Sequence, residues 1–393
     1  MPRQPSRRVS TRAGLLAGAA TLLLLAPGVS AQTNAPSPSP SPSPAPTPAP
    51  PDDTPTIKVG GTIYANYVYT ADPTSKDADG NTIHPNSFDD TRAYITLTGN
   101  ISHRVGFRIT ADVGPRLATT ATNLPSGASV SSNYDGSLAY RLKYAFGQVN
   151  LEDVLTKGSW VRVGVQQTPF LDFMEGVYRY RFQGTLFAER EGFLGSASSD
   201  FGVSGHYNVP NDYGDLHAGV YNGENYNKGE ANNQKSFQVR GTLRPLPKQA
   251  VLKGLRVTAF YNADHYVKDA PRQRFIGSLT FEHKYVNLGF DYLSAKDQPS
   301  ATKPEVKANG FSFWAQPKTT KGLEGFLRYD SLKPNTTVDA RKNRTIIGAA
   351  YWFKTQKQPA AAALLANYEH VAYDSALSKP KENRYSLHCL FNF

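Results

Sequence analysis

The chain of 393 residues has a single cysteine, Cys389, so no internal disulfide can form. After residue 31 it has no run of about 18 apolar residues, so no helix is long and apolar enough to cross a bilayer. No segment stands out with a helical period. The 8 histidines lack metal-ligand spacing, and neither a GxSxG elbow nor a Gly-rich phosphate loop occurs, so no metal or cofactor is expected. Acid is the scarcer charge, with 32 Asp and Glu against 43 Lys and Arg. The bases are spread along the chain and not gathered with aromatics into one patch, which argues against a nucleic-acid partner. What the chain does have is aromatic residues: 22 Tyr and 20 Phe in a sequence only 39% hydrophobic.

Residues 1–31 read as a signal peptide. Met1 to Gly14 carries Arg3, Arg7, Arg8 and Arg12 and no acid, "LLAGAATLLLLAPGVSA" follows, and Val29-Ser30-Ala31 makes a small-x-small cleavage site. The apolar stretch is too short for an anchor, and Pro27 interrupts it. Removing those four arginines takes the formal charge from +11 to +7. Residues 32–56 contain "PSPSPSPSPAPTPAPP", which cannot pack a core and favours extended polyproline II, so a semi-rigid periplasmic linker is expected there.

From 57 to 393 one pattern recurs: roughly ten residues alternating apolar and polar, then a turn. In "RVGFRITADVG", Val105, Phe107, Ile109 and Ala111 share one parity, with Arg108, Thr110 and Asp112 on the other. "WVRVGVQQ", "FGVSGHYNV" and "SFQVRGTLR" behave alike. About sixteen such segments fit, at roughly 21 residues per strand and connection, as expected of tilted membrane strands. The polar parity is rich in charges that need a common wet side. Tyr64, Tyr67, Tyr69, Tyr140, Tyr144, Phe146, Tyr351, Trp352 and Phe353 suit aromatic girdles at the membrane interfaces. The expected fold is therefore all-β: a transmembrane antiparallel barrel of about sixteen strands, with lipid outside. The sequence finishes "RYSLHCLFNF", with Tyr385, Leu387, Cys389, Phe391 and Phe393 on one parity and Leu390 the apolar exception on the other. Tyr385, Phe391 and Phe393 are expected to form a closing strand that serves as the signal for the barrel-assembly machinery.

"VRVGVQQTPF" (161–170), "YRYRFQGTLFAEREGFLG" (178–195), "SSDFGV" (198–203), "VYNGENYN" (220–227) and "RGTLRPLP" (240–247) occur in that order. Together with the strand count and the terminal Phe, this series resembles the phosphate-selective porin O and P family, over roughly 57–393. The resemblance implies a sixteen-stranded outer-membrane porin, a homotrimer, and a loop after Pro169-Phe170 folded into the lumen. The lysines of the family's phosphate-binding members cannot be placed here by motif.

Charges on the polar parity should face the lumen, because on the lipid face each would cost about 2–4 kcal/mol at mid-bilayer. The bases there are Arg108, Arg162, Arg240, Arg244, Arg256, Arg274, Lys284, Arg328 and Arg384, against Asp112, Glu282, Asp291, Glu324 and Asp330. The expected inward segment adds Arg179, Arg181 and Arg190 against Asp172, Glu175, Glu189 and Glu191. In "YRYR", Arg179 and Arg181 share one side and are expected at the constriction, with Tyr178 and Tyr180 on the wall. Arg108, Arg162, Arg240 and Arg244 are expected to hold the segment's glutamates. Guanidinium forks suit oxyanions, though such arginines equally serve to pin a loop. The expected function is passive diffusion of small anionic or neutral solutes with a mild preference for anions such as phosphate. A non-selective or carbohydrate-passing pore is the alternative. A lipid hydrolase would need a Ser beside a His near the lipid interface, and no convincing serine accompanies His370 or His388.

Overall fold

The computed structural model describes residues 53–113, 120–123, 129–132, 138–194, 199–230, 232–353 and 361–393. The expected signal peptide and residues 32–52 of the expected linker lie outside them. Sixteen antiparallel strands close into one barrel, as the alternation predicts. They are β1 (Thr56–Asp72), β2 (Asn86–Asn100), β3 (Val105–Val113), β4 (Tyr140–Asn150) and β5 (Trp160–Gln167). Next come β6 (Ser199–Val209), β7 (Gly214–Tyr221), β8 (Ser236–Leu243), β9 (Leu255–Val267), β10 (Ala270–Glu282) and β11 (Val286–Asp297). The last are β12 (Val306–Pro317), β13 (Leu323–Lys333), β14 (Lys342–Phe353), β15 (Ala361–Tyr373) and β16 (Glu382–Asn392). Two small hairpins, Ser75–Lys76 with Thr82–Ile83 and Thr120–Asn123 with Ser129–Ser132, lie in connections at one end of the barrel. That end also holds the segment between β5 and β6 and is called the loop end; the opposite end is the turn end.

Closure joins β1 to β16, from Thr62 opposite Asn392 to Asp72 opposite Asn383. Beyond the strand, the Phe393 N–H donates to the Gly61 carbonyl (3.0 Å), and the Gly61 N–H donates back (2.8 Å). The Phe393 ring lies where a side chain at position 61 would be, since a Cβ there would sit 2.4 Å from its Cζ. Tyr385, Leu387, Phe391 and Phe393 are exposed on the outer face, while His388 and Leu390 are buried in the lumen. The Leu390 exception to the alternation thus has a cause: it belongs to an apolar cluster inside the barrel.

That cluster forms around the segment that follows β5. Gly164, at φ 124°, bends β5 where a Cβ would come within 2.3 Å of the Ala145 carbonyl oxygen, so only glycine fits. The chain then enters the lumen as two short helices that the sequence did not announce, α1 (Pro169–Val177) and α2 (Phe187–Arg190). Pro169 opens α1 with a φ suited to the first helical turn. Phe170, Leu171, Met174 and Val177, spaced three and four apart, make its buried face. The wall answers with at least one bulky apolar residue on the lumen parity of each strand from β9 to β16, among them Phe260, Ile276, Leu293, Trp314, Phe326, Ile346, Leu365 and Leu390. Each such side chain removed from water contributes about 1.5–3 kcal/mol, which fixes the segment against this half of the wall.

The girdle expectation needs correction in part. Tyr140, Tyr351 and Phe353 are exposed on the outer face, but Tyr144 and Phe146 are buried in the lumen. Tyr64 and Trp352 also face inward and pack on the segment's Phe182, at 6.4 and 5.9 Å between ring centres. Trp352 lies near a strand end as a girdle requires, but Tyr64, Tyr144 and Phe146 lie mid-strand, and the parity of all four places them inside.

Candidate permeation site

The inserted segment is held by wall cations at both of its ends and along its length. Arg240 donates from Nε to the Pro169 carbonyl (2.9 Å) and pairs with Asp215. Arg328 donates to the Tyr178 hydroxyl (3.1 Å), the Thr185 carbonyl (2.8 Å) and Asp330 (2.9 Å). Arg274 donates to the Phe193 carbonyl (2.7 Å) and to Asp297 (2.6 Å). From the segment, Arg190 reaches Glu369 (2.7 Å), a carboxylate shared with Arg344 (3.2 Å) and Arg384 (3.4 Å). Glu191 accepts from Lys342 (2.8 Å) and Arg344 (2.5 Å). Buried, multiply hydrogen-bonded pairs of this kind fix geometry more than they add stability.

The expected pairing of wall and segment is therefore corrected. Arg108, Arg162, Arg240 and Arg244 do not hold the segment's glutamates. Arg344 and Lys342 take Glu191, and Arg181 takes Glu189 through two bonds of 2.7 and 2.9 Å. Glu175 lies 3.5 Å from Arg181 and accepts from Gln167 (2.8 Å). A carboxylate near Arg181 inside the segment is the more local partner, and the wall position facing Glu191 lies on β14, not on β3 or β5.

"YRYR" divides as its alternation requires. Tyr178 and Tyr180 are fully buried, Tyr178 against Trp314 and Tyr180 stacked on Phe326 at 4.6 Å. The two arginines differ. Arg181 is clamped, with 10% of its side chain exposed, whereas Arg179 keeps 33% while meeting Glu324 (3.1 Å) and lying over Trp352 (4.1 Å). Of the other expected pore residues, Arg190, Arg240, Arg274 and Arg328 hold the segment. Arg108, Arg162, Arg244 and Arg256 line open space, Arg162 while pairing with Asp172 of α1 (3.4 Å) and Arg256 while pairing with Glu282.

Two of the three openings lie on the side of the wall without the apolar row, and the third lies below the segment at the turns of β8 to β12. Toward the loop end, a cavity of about 420 Å³ lies between the segment and β1, β2 and β4, lined by Arg92, Arg141 and Arg181 and by Asp89 and Asp90. Toward the turn end, a cavity of about 350 Å³ is lined by Lys58, Arg108, Arg162 and Asp172. A larger one of about 810 Å³, below the segment, gathers Arg179, Arg244, Lys253, Arg256, Lys284 and Lys318 with Asp212 and Glu282. Several of these cations lie on rings: Arg108 over Tyr144 (4.4 Å) and Arg162 over Trp160 (3.6 Å). The stacking itself does not neutralise the guanidinium, but Arg162 also has Asp172 at 3.4 Å. Arg108 has no carboxylate partner among the described residues; its Nε donates to the Thr110 hydroxyl (3.1 Å).

Lys58, Arg92, Arg141, Lys318, Lys342 and Arg344 were not singled out from sequence. Lys58 could have been, because it lies between Ile57 and Val59 and so on the lumen parity of β1. Arg344 sits in "KNRTIIGAAYWF", where consecutive apolar residues hide the alternation.

Among the described residues, one Ser–His–Asp grouping occurs where the wall meets α1. His217 Nε2 is 3.1 Å from the Ser204 hydroxyl, and its Nδ1 is 3.7 Å from Asp172. The Gln166 amide nitrogen donates to two carbonyls, so its oxygen faces Ser204, and Ser204 donates to it at 2.6 Å. The serine proton is thus committed and His217 Nε2 must be the donor, the reverse of a base activating a nucleophile. Ser204 and His217 are both buried.

No family model matches the chain, and no curated protein matches it in sequence. Solved structures do match in fold. A loop-deletion form of OmpT, an outer membrane protein of Vibrio cholerae, superposes with TM-score 0.58 at 13% identity, covering 87% of this chain and 100% of that one. The anion-selective porin of Comamonas acidovorans gives 0.57 at 11%, covering 86% and 100%. OmpF of Salmonella typhi gives 0.55 at 12%, covering 86% and 97%. The fold is that of the outer-membrane porin barrels. At these identities the likeness extends to the fold and no further.

Proposed function

We propose that the protein is an outer-membrane channel through which small anions and neutral solutes diffuse, with a preference for anions. The observation that carries this reading is the charge of the two turn-end cavities. Nine cations line them (Lys58, Arg108, Arg162, Arg179, Arg244, Lys253, Arg256, Lys284 and Lys318) against Asp172, Asp212 and Glu282. Charge of one sign in a confined, low-dielectric wall raises the local concentration of counter-ions. The loop-end cavity is more balanced, so the preference is mild and is set toward the turn end. Passive diffusion needs no catalytic group or cofactor.

Porin barrels place short turns in the periplasm, so the turn end is taken as periplasmic and the loop end as external. Residues 1–31 serve export, and the strand from Glu382 with Phe393 serves recognition by the assembly machinery. The working form is a homotrimer; OmpT of Vibrio cholerae, similar in fold, occurs in a trimer form. Phosphate is one candidate solute, since guanidinium groups at Arg108, Arg162 and Arg179 suit oxyanions.

The test is the reversal potential of single channels in a potassium chloride gradient. Chloride preference is expected at low salt, shrinking toward 1 M where the Debye length falls to about 3 Å. Potassium preference at low salt would overturn the reading. Unequal competition by phosphate and by a neutral sugar separates an anion path from a carbohydrate path.

A further inference from the structure

The outer surface of β9 to β12 has a groove at the loop end that permeation does not use. We propose that it binds a phosphate-bearing lipid of the outer leaflet, with the phosphate between Lys296 and Lys307 and the acyl chains on the aromatic wall below. The inference rests on the reading of the barrel as an outer-membrane protein.

Strand register places these residues on the outer face. Tyr261 lies opposite Phe275, Phe275 opposite Ser294, and Ser294 opposite Asn309. One step nearer the loop end, Gln273 lies opposite Lys296 and Lys296 opposite Lys307. One step nearer the turn end, Tyr292 lies opposite Phe311. An apolar aromatic tier thus passes directly into a cationic tier on the same face. Where they meet there is a groove of about 580 Å³, lined among others by Tyr261, Phe275, Lys296, Lys307, Asn309 and Thr336.

The charge at this groove is incomplete. Lys296 lies 2.6 Å from Glu305 and Lys307 3.5 Å from the same residue, with 36% and 66% of the two lysine side chains exposed. Lys296 and Lys307 beside it hold the Glu305 carboxyl below the usual glutamate range, so it counts as one negative charge between two positive ones. A phosphate can take the ammonium hydrogens that one carboxylate leaves free. A soluble phosphate would gain nothing from Tyr261 and Phe275, whereas a lipid gains both contacts. The two tiers therefore favour a lipid over a free ion.

The test uses the full barrel folded in detergent and native mass spectrometry with lipid A as probe. The wild-type barrel is expected to retain bis-phosphorylated lipid A at least tenfold more tightly than its dephosphorylated form. K296Q/K307Q is expected to bind both forms equally weakly, and K296R/K307R to recover the difference. K321Q, at the opposite end of the barrel, should match the wild type. Heat-modifiable migration verifies that each variant is folded. Unchanged retention of lipid A by K296Q/K307Q, or equal retention of the dephosphorylated lipid by the wild type, would overturn the proposal. Displacement by inorganic phosphate at equal concentration would also overturn it, showing a free-anion site. The same preparations are inserted in planar bilayers: loss of conductance in the wild type would refute the channel and leave the lipid result standing.

Discussion

The two halves of the barrel wall share one outer face and differ inside. From β9 to β16 every strand turns a bulky apolar residue into the lumen, and the segment 169–194 covers the row. From β1 to β8 the lumen also carries rings, among them Tyr94, Tyr144, Phe146 and Trp160, but here cations lie over them. Lys143 is over Tyr94 (4.2 Å), Arg108 over Tyr144 and Arg162 over Trp160. An apolar row without polar partners must be covered by protein, since a wet lumen would leave it exposed. A ring with a cation on it can face water. The pattern of the lumen parity thus decides which side holds the inserted segment and which side stays open.

The seam between the halves is the place where the largest effect is expected. Removing Phe393 deletes both hydrogen bonds to Gly61 and the ring that covers it. Folded, heat-modifiable barrel in the outer membrane should fall severely, and far more than on replacing Asn392. Normal levels would remove the assembly role of the last strand.

The apolar half is broken next by Phe326→Ala, which empties the site under Tyr180. A buried Phe→Ala change costs about 3–5 kcal/mol, here in seating the segment while the barrel stays closed. Noisy single-channel current and new protease cleavage within 169–194 are expected; a quiet, resistant channel would contradict the comparison. Arg181→Gln leaves Glu189 and Glu175 without their guanidinium and should loosen the segment likewise, by about 3 kcal/mol. Arg179→Gln acts on the open space below the segment. It should lower chloride preference with a stability change of about 1 kcal/mol, because the guanidinium is part-exposed and the buried Glu324 keeps the Tyr180 hydroxyl as a donor (2.9 Å). If Arg181→Gln altered selectivity alone and Arg179→Gln altered noise alone, their roles would be exchanged.

Strand number and parity were legible because a half-buried strand repeats every two residues over sixteen elements, whereas the position of the inward segment was implied by the family resemblance alone. The helices α1 and α2 were not legible, since nine and four residues are too short to show a period against the surrounding strands. The apolar row was illegible for a different reason. An apolar residue on the polar parity of one strand, such as Leu390 in "RYSLHCLFNF", looks like an isolated exception until the barrel aligns eight of them. The arginines were found on the correct face, but parity cannot tell a clamp from a pore residue. Arg162, Arg240, Arg274 and Arg328 meet the segment and Arg108 does not, because of where the segment lies across the lumen.

The most direct measurement is accessibility of single cysteines to a charged, pore-permeant thiol reagent, in a Cys389→Ser background so that the native thiol is silent. Gln148 on β4 lines the turn-end cavity, and Ser312 on β12 is 1% exposed on the covered half. The account predicts rapid loss of single-channel conductance for Gln148→Cys and none for Ser312→Cys. Equal block at both positions, or block at Ser312→Cys alone, would contradict a path kept off the wall that the segment covers.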